Sequence, residues 1–192
     1  LAMCSEIPEA YLLMATVHSN DYWLGTTKSP RESVEKGIEL LQKSLALDDT
    51  NAETHALLSH FYTQKKEYDK AIAEGERAVA LNPSGATVIA RYAVSLDFAC
   101  RSEEAIPLFQ KAIRLNPFGP RFYYHNFGNA LQMTGRFEEA VSAYKKVIQR
   151  TPNNMWAHIM LAATYSKMGR EKEARAEAAE VLRVNPKFSL DW

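Results

Sequence analysis

Four prolines, Pro83, Pro117, Pro152 and Pro186, recur at intervals of 34, 35 and 34 residues. Ala71, Ala105, Ala140 and Ala174 keep the same step, as do Tyr62, Leu96, Leu131 and Tyr165. A period near 34 with small residues and prolines in phase is the signature of stacked helix–turn–helix units, none of which can bury its apolar face alone. In such an array each unit touches only its neighbours, so residues 1–192 are expected to form a single array. The expected fold is an all-α, right-handed superhelical solenoid of about ten helices. It presents a surface and points away from catalysis.

The unit is plainest over residues 52–83. A first helix is expected over about Ala52–Gln64 and a second over about Tyr68–Leu81. Thr50 and Glu53 read as a capping box at the start of the first, and Asn82-Pro83 closes the second. The next unit, 86–117, divides into Ala86–Ala99 and Ser102–Leu115, with Ser102 read as the N-cap and Glu103 and Glu104 in the first turn. Pro107 lies beyond the positions where proline is free, so it removes one backbone bond and bends the helix slightly. One extra residue in Phe118-Gly119-Pro120 accounts for the interval of 35 before unit 121–152. Unit 155–186 follows, and Gly135 and Gly169 mark the inner turns. Upstream, Val34–Leu47 reads as another second helix, started by Ser29 as cap, Pro30 at the first helical position and Glu32. Its partner is expected over about Pro8–Ser19, with an extension toward Trp23, behind a link about ten residues longer than the others. The repeats thus number five, with 8–49 irregular.

Composition narrows the function. Lys+Arg and Asp+Glu both count 23, so no basic excess points to nucleic acid. No apolar run reaches the roughly 18 residues of a membrane helix, and no signal peptide is recognisable. Cys4 and Cys100 are far apart, with no CxxC and no Cys/His cluster. Two free thiols in a reducing, cytoplasmic setting are the expectation, with no metal and no cofactor. The start at Leu1 and the finish at Phe188–Trp192, where a further helix could begin, suggest a segment of a longer protein.

The spacing resembles the tetratricopeptide repeat. Phe127-Gly128 with Leu131 matches its L-G-x2-Y stretch, and Leu58-Ser59 with Tyr62 and Leu161-Ala162 with Tyr165 repeat it with a small residue for glycine. Phe109 and Tyr144 stand at the aromatic place of the second helix, and Ala78 and Ala112 at the later small place, held by Val147 and Val181 in its later copies. The departures are His55, Ile89, Tyr124 and His158 at the tryptophan place, and Gly75 and Ala178 at the aromatic place. A weaker likeness, carried by Leu-Asp-Asp before a unit and Asn-Pro-x-Phe-Ser-Leu at the end, is to arrays appended to bacterial nucleotide cyclases and other signalling proteins; it transfers no catalytic residue.

The resemblance implies that first helices line a concave groove and that the chain binds a protein or peptide there without catalysis. The candidate groove residues are Arg91, Phe98, Phe122, His125, Asn126, Asn129 and Trp156, beside His60, Gln64, Val94, Asp97, Gln132, Met133, Met160 and Lys167. Asn carries a donor and an acceptor, so Asn126 and Asn129 suit a peptide backbone of any sequence; Arg91 suits a carboxylate. The alternatives are a solvated polar groove with no dedicated ligand, and an oligomerisation arm that builds a homo-oligomer. Of the carboxylate clamp of chaperone-binding relatives only Asn129 is matched, because Trp156 and Met160 stand at the Lys and Arg places. His55 and His158 fall at packing places. His55 and His60 are five residues apart, the wrong spacing for a metal pair on one helix face. Gly75 inside a helix implies close approach of a neighbour, with Tyr92 and Ile89 filling the space. Phe188, Leu190 and Trp192 are expected to fold back on the last helix pair or to mark a continuation.

Overall fold

The computed structural model describes residues 7–24, 26 and 29–189. Among these it contains ten helices and no strand. They are α1 (Pro8–Leu24), α2 (Pro30–Leu47), α3 (Ala52–Gln64), α4 (Tyr68–Leu81), α5 (Ala86–Phe98), α6 (Ser102–Leu115), α7 (Phe122–Met133), α8 (Phe137–Arg150), α9 (Met155–Lys167) and α10 (Glu171–Val184). Odd helices pair with the next even helix, and each even helix packs on the following odd one. The result is the right-handed superhelical solenoid that the period of 34 requires.

The in-phase small residues explain the stacking. Ala71, Ala105 and Ala140 are fully buried, so two helix backbones approach closely at each repeat. Two aromatic rings, Tyr144 and Phe61, lie against glycines of a neighbouring helix. A Cβ on Gly128 would lie 2.5 Å from the Tyr144 ring, and one on Gly37 would lie 2.3 Å from that of Phe61. At Gly75 the space is taken by Tyr92, whose Cδ2 would stand 2.4 Å from an added Cβ, with Ser59 Oγ at 3.2 Å. Ile89 is buried in a neighbouring cluster with Ala90, Ala112 and Tyr123 and does not fill the gap.

The units also meet through buried hydroxyls. Ser59 Oγ donates to Ala71 O at 2.6 Å, and Ser95 Oγ lies 2.8 Å from both Ser59 Oγ and Thr63 Oγ1. Thr87 and Tyr123 hydroxyls meet at 2.8 Å, and Thr164 Oγ1 donates to Gln132 Oε1 at 2.8 Å. Apart from Ser59 Oγ to Ala71 O, which stays within one unit, each bond joins one first helix to the first helix before or after it.

The capping differs from expectation at three starts. Asn51, not Thr50, caps α3: its Oδ1 accepts from the amides of Glu53 and Thr54 at 3.0 and 3.1 Å. Thr50 turns back to Asp48, donating both its amide and its hydroxyl. Asn is one residue nearer the helix and its amide oxygen reaches the open N–H groups directly. Ser102 is the first residue of α6, not its cap; Arg101 holds that place and Ser102 Oγ donates to Asp97 Oδ1 at 2.6 Å. Ser29 stands at the cap of α2 but makes no side-chain capping bond, while Pro30 begins the helix as expected. Asn154 caps α9, accepting from the Ala157 amide at 2.9 Å. Pro107 lies inside α6, which continues through it.

The inserted residue at 117–120 is held in place by Arg150. Its guanidinium donates to Gly119 O at 2.8 Å and to Pro117 O, and stacks 5.0 Å from the Tyr124 ring centroid. Cys100 is an exposed free thiol at the turn after α5; Cys4, Leu190 and Trp192 lie outside the described residues.

Candidate binding groove

Four positions per first helix share one face, because spacings of four, three and four residues return to the same side. Read along the solenoid they make four rows. Glu53, Thr87, Phe122 and Trp156 form one; Leu57, Arg91, Asn126 and Met160 the next; His60, Val94, Asn129 and Ala163 the third; Gln64, Phe98, Met133 and Lys167 the last. Six of the seven candidate residues therefore fall on one continuous lattice, and His125 stands beside it.

The lattice is unevenly exposed. Phe98, Met133 and Trp156 are 47 %, 67 % and 59 % exposed, while Arg91, Asn126, Asn129 and Phe122 are half-buried. A cavity of about 180 Å³ opens beside Phe98, walled by His60, Gln64, Tyr68 and Val94. Burial pushes the His60 imidazole down to about 3, with the Arg91 charge adding to the effect.

The polar candidates are partly engaged by the protein itself. Arg91 Nη1 lies 3.5 Å from Glu53 Oε2 on α3. Burial holds its guanidinium below the usual range, and the Glu53 charge opposes that shift. Asn126 Nδ2 donates to Phe122 O at 2.9 Å on its own helix. Asn129 Oδ1 accepts from the Tyr144 hydroxyl at 2.7 Å. That hydroxyl also approaches Gln132 Oε1, so Asn129, Tyr144, Gln132 and Thr164 form one network from α7 to α8 and α9. His125 packs edge-on to the Tyr144 ring, with centroids 6.0 Å apart, and its imidazole is pushed down by burial and then by Arg121. His125 and Asn129 thus turn toward the α8 side of α7. On the two asparagines the atoms outside these bonds are Asn126 Oδ1, an acceptor, and Asn129 Nδ2, a donor. Sequence reasoning missed Glu53 as the partner of Arg91. The signal was there, since a carboxylate at the first row and a guanidinium at the second row of the next unit are neighbours on the lattice.

His55 and His158 occupy packing places. Each bridges its own helix pair, with Nδ1 2.6 Å from Glu74 or Glu177 and Nε2 at 3.0 or 2.9 Å from the Asp49 or Pro152 carbonyl. Among the described residues no three His, Cys, Asp or Glu side chains are placed to hold a metal ion, and no helix is long and apolar enough to cross a membrane.

Tetratricopeptide repeat patterns match residues 52–84, 96–154 and 131–190, well over half of the chain between them. With ten helices paired and stacked in that register, the chain belongs to the tetratricopeptide repeat family. Among curated proteins it is 29 % identical over 119 residues to the small glutamine-rich tetratricopeptide repeat-containing protein 2 of Mycosarcoma maydis, covering 62 % of this chain and 33 % of that protein. It is 23 % identical over 208 residues to the Hsp70-Hsp90 organizing protein 3 of Arabidopsis thaliana, covering 88 % and 37 %. The chain spans about a third of the length of these relatives. Among solved structures, Pseudomonas aeruginosa pilF superposes with a TM-score of 0.75 at 20 % identity, covering 93 % of this chain and 76 % of that one. YrrB, described as a TPR protein with an unusual peptide-binding site, superposes with a TM-score of 0.66 at 20 % identity, covering 95 % and 88 %. The likeness to arrays appended to bacterial cyclases finds no support among these relatives.

Proposed function

We propose that this chain is a non-catalytic scaffold that holds an extended segment of a partner protein in its concave groove. The observation that carries the reading is the set of large apolar side chains left exposed on successive first helices: Phe98 and Met133 in the last row and Trp156 in the first. Apolar anchors next to half-buried polar groups are what interface hot spots use, a few residues carrying most of the energy. Phe98 and the cavity beside it form one apolar subsite, Phe122 and Trp156 another, and the two are separated by Arg91, Asn126 and Asn129. Asn126 Oδ1 and Asn129 Nδ2 supply an acceptor and a donor for a backbone, whatever the sequence. Arg91, held by Glu53 at 3.5 Å, is released to a ligand carboxylate only by exchanging one partner for another. YrrB, which shares the fold, is a peptide-binding protein, and this supports the reading.

A displayed library of extended peptides selected on the purified chain tests it. Selected peptides should lose about tenfold in affinity or more when Trp156 or Phe98 becomes Ala. Charge reversals on α8, such as Lys146→Glu, should leave binding unchanged. Selection of peptides that respond only to the α8 changes refutes the groove reading.

A further inference from the structure

The charges of this chain balance overall but not along its length. Residues 105–170 hold nine basic side chains and two acidic ones, Glu138 and Glu139. With 23 of each sign in all, the rest of the chain is acidic by the same margin. The two acids are already engaged: Glu139 lies 2.7 Å from Arg136, and Glu138 lies 3.3 Å from Arg170. Among the described residues, Arg114, Arg121, Lys146 and Arg150 form no ion pair.

The fold gathers these bases at one edge of the array. Lys111, Arg114 and Leu115 share a face of α6, being three and four residues apart, and Lys146 and Arg150 hold the places of Lys111 and Leu115 on α8, 35 residues later. Arg150 donates to Pro117 O and Gly119 O, the carbonyls on either side of Phe118, and these neutral partners leave its charge uncompensated. Arg121 follows the same turn directly and is exposed, as are Arg114, Lys146 and Arg150. In their midst Phe118 is 92 % exposed, and Leu115 is 46 % exposed. Ser84, Asn153 and Lys187 hold the place of Phe118 after the other three prolines, so a polar residue suits the turn and the ring is the exception. The Gly119 amide donates to Asn116 O at 3.0 Å, which puts Pro117 and Phe118 at the tip of a closed turn. With Arg150 pinning both carbonyls, the backbone under the ring is already ordered, so binding there costs little further entropy. Helix dipoles account for Arg114 and Arg150, which stand in the last turns of α6 and α8. They do not account for Arg121, for Lys146 or for an exposed ring at a polar place.

We propose that this edge, from α6 across the turn at 117–120 to α8, docks a short acidic segment of a partner protein that carries one large apolar side chain. The apolar side chain packs on Phe118 and Leu115, and the carboxylates pair with Arg114, Arg121 and Lys146. Charge complementarity names the occupant: bases that find no acid in their own chain are neutralised from outside, and a guanidinium takes a carboxylate through two bonds. The segment is short because the chain on both sides of this stretch is acidic in sum. At +0 overall, the molecule as a whole attracts neither a long nucleic acid nor an anionic bilayer. The edge is built from second helices and the turn after α6, apart from the groove of first helices, so the inference does not depend on the groove reading.

The test is a displayed library of acidic peptides of about ten residues, long enough when extended to cross two units, with one varied position in each. Selection is on the whole chain carrying Phe98→Ala and Trp156→Ala, which removes two exposed groove anchors and leaves this edge intact. Aromatic or large aliphatic residues should be enriched at the varied position. Phe118→Ser should weaken binding of the selected peptides at least about fivefold, and Arg114→Glu with Lys146→Glu at least about tenfold. All three positions are exposed, and circular dichroism should show both variants folded. The same peptides with Gln for every acid should not bind. A selection that enriches nothing overturns the proposal, as do enriched peptides indifferent to Phe118→Ser or to the charge reversals. So does tighter binding, lost with the same changes, of a single-stranded oligonucleotide of about 20 nucleotides or of phosphatidylcholine vesicles with about a third phosphatidylserine, since the bases then serve a polyanion. Each of these results leaves the groove reading standing, because the groove anchors are absent from the selected chain.

Discussion

Gly75→Ala sets two opposing effects against each other at one atom. Alanine is better than glycine inside a helix by about 1 kcal/mol, so an open site would gain stability. The site is not open. The new Cβ would stand 2.4 Å from Tyr92 Cδ2 and 3.1 Å from its Cγ. Ordinary carbon contacts begin near 3.5 Å, so the ring must withdraw by about 1 Å. Cδ2 and Cγ lie near the root of the side chain, so the whole ring moves, and its hydroxyl loses the 3.2 Å bond to Glu76. Overpacking of this kind costs roughly 1–3 kcal/mol. The net expectation is a loss of about 1 kcal/mol, or roughly 2–4 °C in melting temperature for a chain of this size. Urea unfolding of the single change and of its combination with Tyr92→Ala measures the coupling. Once the ring is gone, Gly75→Ala should become stabilising by up to about 1 kcal/mol, the propensity gain less the cost of the remaining 3.2 Å contact with Ser59 Oγ. A rise in stability in the Tyr92 background and in the wild type alike refutes the close-approach argument.

Asn51→Ala should cost about 1 kcal/mol of stability, whereas Thr50→Ala should cost a few tenths, since Asn51 alone caps α3; equal losses in denaturant titration contradict the capping assignment. Acid should destabilise the array through His60 and His125, both held below their ordinary value by burial. The unfolded chain binds those protons below about pH 6.5 and the folded chain does not, so stability is present above that pH and falls as pH drops toward 3. For His60 the slope approaches about 1.4 kcal/mol per pH unit, and His60→Gln should flatten the curve of denaturation midpoint against pH; an unchanged curve argues against a buried neutral ring.

The fold was legible because one periodicity encodes both helix length and stacking register. Small residues and prolines in phase identify the two helices of each unit, and the observed bounds fall within a residue of those read from the pattern over α3–α6. Helix starts were less legible, since Thr50, Asn51, Ser102 and Arg101 are adjacent and only backbone direction decides which side chain meets the open amides. Helical arithmetic alone puts Arg91, Asn126 and Trp156 on one face of their first helices. What arithmetic could not supply was competition for those side chains: Tyr144 reaches Asn129 from α8, and Glu53 reaches Arg91 from the unit before. The first depends on how α7 and α8 pack within their unit and the second on the superhelical twist between units, quantities no single helix carries.

The buried hydroxyls between first helices bear on how near-identical units find their correct neighbours. A chain of look-alike modules risks stacking a unit on the wrong one as it forms, a failure that repeat proteins share with other multi-part chains. Ser59 meets Ser95, Thr87 meets Tyr123, and Gln132 meets Thr164, so no two junctions use the same pair. A unit seated against the wrong partner would lose its bond across the junction and keep only those that Ser59, Ser95 and Thr164 make to carbonyls of their own units, a cost of about 1 kcal/mol per bond. Order along the array is therefore written in a handful of oxygen atoms, and the units of this protein are not interchangeable parts.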